Sequence, residues 1–274
     1  MTEHSALYVY ALLPDRQGAA DGVTGLDGRP VRLAGVPGTG LAALVHDAAP
    51  APFQGGDDEV RRWVAEQSRA VTTVWERVGG LLPMTFNVLV AADPESGRSA
   101  EQCLGDWIRE EHDSITGRLE ALSGRCELRV EITLDRAAVT GGDPVDGTPA
   151  DDADGRSPGM RRLLAKQREQ RERHTAGELA DALHATIRRR LLAVAEDFRD
   201  RAFTRRTADE TGVLSAALLV RHEDVDAVGA VLSEARADRP GLGIRFLGPW
   251  PPYSFADSAQ EEHAEPAWTG ARRL

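Results

Sequence analysis

Residues 127–134 read Glu-Leu-Arg-Val-Glu-Ile-Thr-Leu, charged or polar side chains alternating with aliphatic ones at every step. A period of two places Leu128, Val130, Ile132 and Leu134 on one face, so the stretch predicts a strand with a core side and a solvent side. A long helical stretch follows over about 159–201, and its middle, 166–178, is polar nearly all round, with a break expected at Gly177. Short strands are predicted at 203–206 and 213–220 (VLSAALLV), a helix at 223–238, and a last strand at 242–247 (LGIRFL). From residue 127 the order is β-α-β-β-α-β, the split βαβ pattern of ferredoxin-like domains, in which an antiparallel sheet carries its helices on one face.

Upstream, residues 6–13 (ALYVYALL) are apolar and rich in β-formers, and Pro14 stops them, which predicts a buried strand. Strands are expected at 30–34 and 41–46, around the turn Val36-Pro37-Gly38-Thr39-Gly40. Residues 57–78 predict a helix: Asp57, Asp58 and Glu59 suit its positive N-terminal end, Val60, Trp63, Val64, Val71, Val74, Trp75 and Val78 recur at helical spacing, and Gly79-Gly80 ends it. A second buried strand is expected at 81–90 (LLPMTFNVLV) and a further helix at 96–122. The fold class is therefore α+β in two domains. Residues 1–124 form an N-terminal α+β domain and 125–256 a ferredoxin-like one, with a C-terminal tail at 257–274. Residues 140–158 are Gly, Pro and Asp with scarcely any apolar side chain, which predicts a disordered acidic insertion.

Composition narrows the function. At 274 residues and 41% hydrophobic content the chain can build more than one core. Forty-four acidic against 33 basic residues give a net charge of −11, and no basic stripe is available to neutralise phosphates, so nucleic acid is excluded as a main partner. Two cysteines in apolar stretches, Cys103 and Cys126, suit buried thiols of a reducing compartment. The first residues lack a basic segment followed by a long apolar run, and no run approaches the ~20 apolar residues of a membrane span, which predicts a cytoplasmic protein.

Fragments that resemble catalytic or ligand motifs fail on spacing. Gly38-Thr39-Gly40 opens like a dinucleotide loop, but the third glycine is missing and strand-formers follow, so a tight hairpin turn is expected. Glu110-Glu111-His112-Asp113 has no second ligand at helical spacing, and reads as a solvated helix face. A calcium loop through Asp151, Asp152 and Asp154 would put Ala150 first and Arg161 at the bidentate position, which fails at both ends. The seven histidines are scattered. No catalytic residue, metal site or cofactor is predicted, and the expectation is a protein-binding rather than an enzymatic role. A small-molecule-binding or enzymatic ferredoxin-like protein, with its ligand between the sheet and the polar helix, is the alternative; a purely structural coat element is a third.

Gly248-Pro249-Trp250-Pro251-Pro252-Tyr253-Ser254-Phe255 sets three aromatics among three prolines. Fixed proline φ makes such a segment stiff, and Trp and Tyr bring large contact areas with polar handles. Trp250, Pro251, Pro252, Tyr253 and Phe255 are the candidate partner-binding residues; the competing reading packs them as a lid on their own domain.

This octapeptide after a final ferredoxin-like strand resembles the C-terminal signature of the gas vesicle proteins GvpL and GvpF. Leu7-Tyr8-Val9-Tyr10 resembles the family's opening strand, and Leu82-Pro83-Met84-Thr85-Phe86 its Leu-Pro-x-Arg-Phe-Gly strand, with Thr85 and Asn87 where the family usually has Arg and Gly. The resemblance implies a minor, non-catalytic component of gas vesicle formation, associated with the shell protein GvpA and other accessory Gvp proteins.

Overall fold

The computed structural model describes residues 6–136, 158–204, 207 and 209–256. The acidic segment 140–157 and the tail 257–274 lie outside the described residues. The protein is mixed α/β with antiparallel sheets, and its contacts divide it into two compact units. One takes the chain up to Cys126 together with the residues from Trp250 onward; the other is Glu127–Pro249.

The first unit is organised on β1 (Ala6–Pro14), in which every residue but Pro14 is buried. β2 (Arg32–Val36), β3 (Leu41–Ala48), β4 (Leu82–Pro83) and β5 (Leu89–Ala91) complete a sheet in the order β2-β3-β1-β4, with β5 also pairing β1. β1 and β3 run antiparallel from Ala6↔Ala48 to Pro14↔Leu41, and the register slips between Val9 and Ala11, leaving Tyr10 as a bulge. The β2–β3 connection is the expected tight turn, with Gly38 and Gly40 at positive φ.

Helix α1 (Asp57–Val78) matches its sequence signal at both ends, closing on Gly79 in the left-handed region. It buries Trp63, Val71, Val74 and Trp75, side chains each contributing about 1.5–3 kcal/mol when fully removed from water. The helix expected over 96–122 is two helices, α2 (Ala100–Glu110) and α3 (His112–Leu122), which break at Glu111. Ser99 caps α2 by accepting from Gln102 N at 3.2 Å, while Gln102 Oε1 accepts from Ser99 N at 2.8 Å.

The strand expected over 81–90 is broken into β4 and β5 because Asn87 sits at φ 71, a conformation no strand contains. Asn tolerates that region, and it occupies the position where the resemblance places a glycine. Its side chain is spent on the same corner: Phe53 N donates to Asn87 Oδ1 at 2.8 Å and Asn87 Nδ2 to Phe53 O at 3.0 Å.

The second unit holds β6 (Arg125–Asp135), α4 (Pro158–Leu192), β7 (Asp197–Asp200), β8 (Glu210–Arg221), α5 (Val225–Asp238) and β9 (Leu242–Trp250), whose strands lie in the order β7-β8-β6-β9. Leu128, Val130, Ile132 and Leu134 of β6 are buried as the alternation requires. The opposite face is not simply solvated. Glu127 is 1% exposed and accepts from Arg129 Nε at 2.9 Å; Glu131 accepts from Arg245 Nη1 at 2.9 Å and from Thr204 N at 2.7 Å.

Helix α4 ends at Leu192 and is unbroken at Gly177, and a strand lies at Asp197–Asp200, within the span expected to be helical, paired antiparallel with Leu219–Ala216; the strand expected at 203–206 falls partly outside the described residues. Phe198 had fitted the helical stripe Leu179, Leu183, Ile187, Leu191 by spacing alone. A single aromatic cannot tell a period of 3.6 from one of 2 at an element's end. Helix α4 is anchored through Ala176, Ala180, Ile187 and Leu191.

Gly25 tests the packing of β1. A methyl at this position would lie 1.9 Å from the Tyr10 hydroxyl and 2.9 Å from Val31. Gly25→Ala is expected to lower unfolding free energy by about 1–3 kcal/mol in urea denaturation, because the buried ring has no room to retreat.

Candidate functional site

Two places in the first unit gather the chemistry-bearing side chains. The first is the core beneath β1. Tyr8 Oη donates to Gln67 Oε1 at 2.5 Å and accepts from Asn87 N at 2.9 Å; Gln67 Nε2 donates to Met84 O at 2.8 Å. Tyr10 Oη accepts from Leu26 N at 2.8 Å and is bonded to His46 Nδ1 at 2.9 Å. Phe53 meets Tyr8 edge-on with centroids 5.5 Å apart and Trp63 at 5.2 Å. Trp63 Nε1 donates to Asp27 Oδ1 at 2.9 Å, and Arg62 reaches the same oxygen at 2.7 Å. Burial pushes Tyr8 up to about 12 and Tyr10 higher still, while the Arg62 guanidinium, then Trp63, holds the Asp27 carboxyl below its usual range. At neutral pH both phenols keep their protons, so their hydroxyls act as buried hydrogen-bonding groups of the core.

The second place is the C-terminal octapeptide. Beyond β9 the chain makes one 3-10 turn, Tyr253–Phe255, with Phe255 N donating to Pro252 O at 3.1 Å. Arg118 of α3 donates from Nη2 to Ala256 O, tying the turn to the first unit. Of the five candidate residues, Pro251 and Pro252 are buried and Phe255 is 1% exposed; Trp250 and Tyr253 are half-buried. Prolines and phenylalanine therefore anchor the segment, and the two residues with polar handles keep part of their surface.

A shallow cleft of about 380 Å³ lies where the β2–β3 turn meets the α2–α3 break, lined by Gly38, Thr39, Arg109, Glu110, His112 and Asp113. His112 is bonded through Nε2 to Thr39 O at 3.2 Å and through Nδ1 to Asp113 Oδ1 at 3.0 Å. The Asp113 carboxylate first, and the Thr39 carbonyl second, raise its pKa. Spacing alone predicts a solvated helix face for His112; the break at Glu111 turns it onto the hairpin instead. Among the described residues no three His, Cys, Asp or Glu side chains are grouped so as to hold a metal ion, and no helix is long and apolar enough to cross a membrane. Burial pushes the Cys126 thiol up to about 11, which keeps it protonated and unreactive at neutral pH.

The model of the family described as gas vesicle synthesis protein GvpL/GvpF matches residues 6–257, which takes in β1, both units and the whole octapeptide. The chain belongs to the GvpL/GvpF family. It is 31% identical over 247 residues to gas vesicle protein L2 of Halobacterium salinarum, covering 85% of this chain and 84% of that one. It is 28% identical over 264 residues to gas vesicle protein L of a Streptomyces species, covering 93% and 94%. The crystal structure of GvpF from Anabaena superposes with a TM-score of 0.68, covering 92% of this chain and 98% of that one; at 19% identity the likeness is one of fold. The LYVY strand and the octapeptide from Trp250 onward both belong to the first unit.

The His112 tie has a definite pH dependence. A raised folded pKa means that its contribution is complete below the ordinary histidine value of about 6.5 and is lost as pH rises through the higher folded value. Amide exchange at residues 38–40, corrected for intrinsic rates, is expected to be faster at pH 8 than at pH 6, and His112→Asn should erase the difference.

Proposed function

We propose that this GvpL/GvpF protein is a non-catalytic accessory component of gas vesicle assembly in the cytoplasm, binding the shell protein GvpA and other accessory Gvp proteins as a chaperone or nucleator. The observation that carries this reading is the family match across residues 6–257, joined by relatives over comparable lengths that bear gas vesicle protein names. The physical chemistry is compatible. A small shell subunit with an exposed apolar face aggregates until it is assembled, and a strongly acidic carrier, here at net charge −11, keeps such a complex in solution.

The order β7-β8-β6-β9, with α4 and α5 in the two crossovers, supports reading the second unit as ferredoxin-like. Partner contact is assigned to Trp250 and Tyr253, the two aromatic residues of the octapeptide that are only half-buried, with Pro251, Pro252 and Phe255 fixing their geometry. Stiff backbone beneath aromatic anchors loses little entropy on binding, which suits a hot spot.

Co-expression with GvpA followed by affinity purification tests the role. Shell protein should co-purify with the wild-type chain, and the double variant Trp250→Ala/Tyr253→Ala should lose most of it while keeping its thermal midpoint. Equal recovery by both would move the site off the octapeptide; absence of shell protein from the wild-type eluate would remove the assembly role.

A further inference from the structure

Among the described residues, the sheet of the second unit ends on a strand with little to block further pairing. β9 is last in the order β7-β8-β6-β9, so its outer side meets no strand among the described residues. Residues 243–249 are exposed apart from the half-buried Ile244, and Phe246 and Leu247 are 38% and 43% exposed. Natural edges are usually guarded by charges, prolines or bulges, because free N–H and C=O groups recruit another strand. The only charge on β9 is Arg245, and its guanidinium is engaged by Glu131 at 2.9 Å. The only proline, Pro249, lies beyond the exposed apolar pair. Residues 243–247 thus leave about 16 Å of unguarded edge at roughly 3.3 Å per residue. The opposite edge, β7, is only four residues long.

We propose that β9 is a docking edge on which an extended, uncharged apolar segment of another chain adds as a fifth strand beside residues 243–247. Charge argues for this occupant. The one cation on the strand is already paired, so a charged segment would be desolvated against Phe246 and Leu247 without a counter-ion. Successive residues of a strand point to opposite faces, so an incoming strand with uncharged β-branched side chains on both faces covers Phe246 on one and Leu247 on the other. A second copy fits less well. Five paired residues fall far short of the roughly 1,200 Å² that a stable association buries, and two copies at −11 each repel. A flexible segment instead draws its affinity from main-chain hydrogen bonds to a preformed edge. The inference rests on the reading that this chain binds assembly partners, and gives that binding a second surface.

The test titrates a fluorescein-labelled peptide of alternating Thr and Val into the full-length protein and its Phe246→Lys and Leu247→Lys variants, with GvpA co-purification run in parallel. Anisotropy should report binding to the wild type, at least tenfold weaker binding to each variant, and no binding of a peptide with Glu in place of Thr. Deuterium exchange at residues 243–247 of the wild type should slow when the Thr/Val peptide is present, a readout that does not depend on either variant folding. Equal binding by wild type and folded variants, or unchanged exchange, overturns the proposal. So does sedimentation showing a concentration-dependent dimer that Phe246→Lys abolishes, which would make the occupant a second copy. Capture of GvpA by wild type and both variants alike overturns the edge but leaves the assembly role. Peptide binding without GvpA capture overturns that role alone.

Discussion

The Tyr10 hydroxyl is the point on which the first unit depends. β1 is covered on both faces, so each polar atom it carries inward has to find a partner or cost about 1–3 kcal/mol of uncompensated burial. Tyr10 meets that demand by accepting from Leu26 N and bonding His46, which ties the 3-10 turn Leu26–Gly28 and the end of β3 to one hydroxyl. Tyr8 does the same two residues earlier, holding Gln67 of α1 and the corner at Asn87. The bulge at Tyr10 and the bare Cα of Gly25 are geometric consequences, since both bring backbone close to a ring that has nowhere else to go.

The elements that could be read directly were those with long, unambiguous periods. Helix α1 carries seven apolar residues at helical spacing between an acidic start and a double glycine, and its bounds are those of its sequence signal. β6 was legible on its inner face by alternation. Its outer face was not, because Glu127, Arg129 and Glu131 carry the composition of a solvated surface. Only their pairing, with Arg245 and Thr204 supplied from far along the chain, allows them to be covered. Where one residue decides a boundary, the pattern failed: Asn87 hides a left-handed corner in an apolar run, and Phe198 passes for the next rung of a helix.

Part of the site was visible as composition and part was not. The octapeptide was conspicuous for its prolines and aromatics, yet composition could not divide the five candidates into buried and half-buried residues. His112 was visible only as one of several scattered histidines, because its partner Thr39 lies 73 positions away on a hairpin. Tyr8 and Tyr10 did carry a signal in the sequence, two hydroxyls inside an otherwise hydrocarbon strand. Such a pattern asks where their hydrogen bonds go, and the answer lies in α1 and β3.

The path of the chain through its two units also orders its manufacture. Most of the first unit leaves the ribosome before the second, yet the segment that Arg118 holds is synthesised after all of the second unit's strands. The earlier-made unit therefore waits, incomplete, through the synthesis of more than a hundred residues, and a chain interrupted before Trp250 never closes it. Completion of the first unit thus reports that the whole of the second has been translated, a length check built into the fold by the order of its parts.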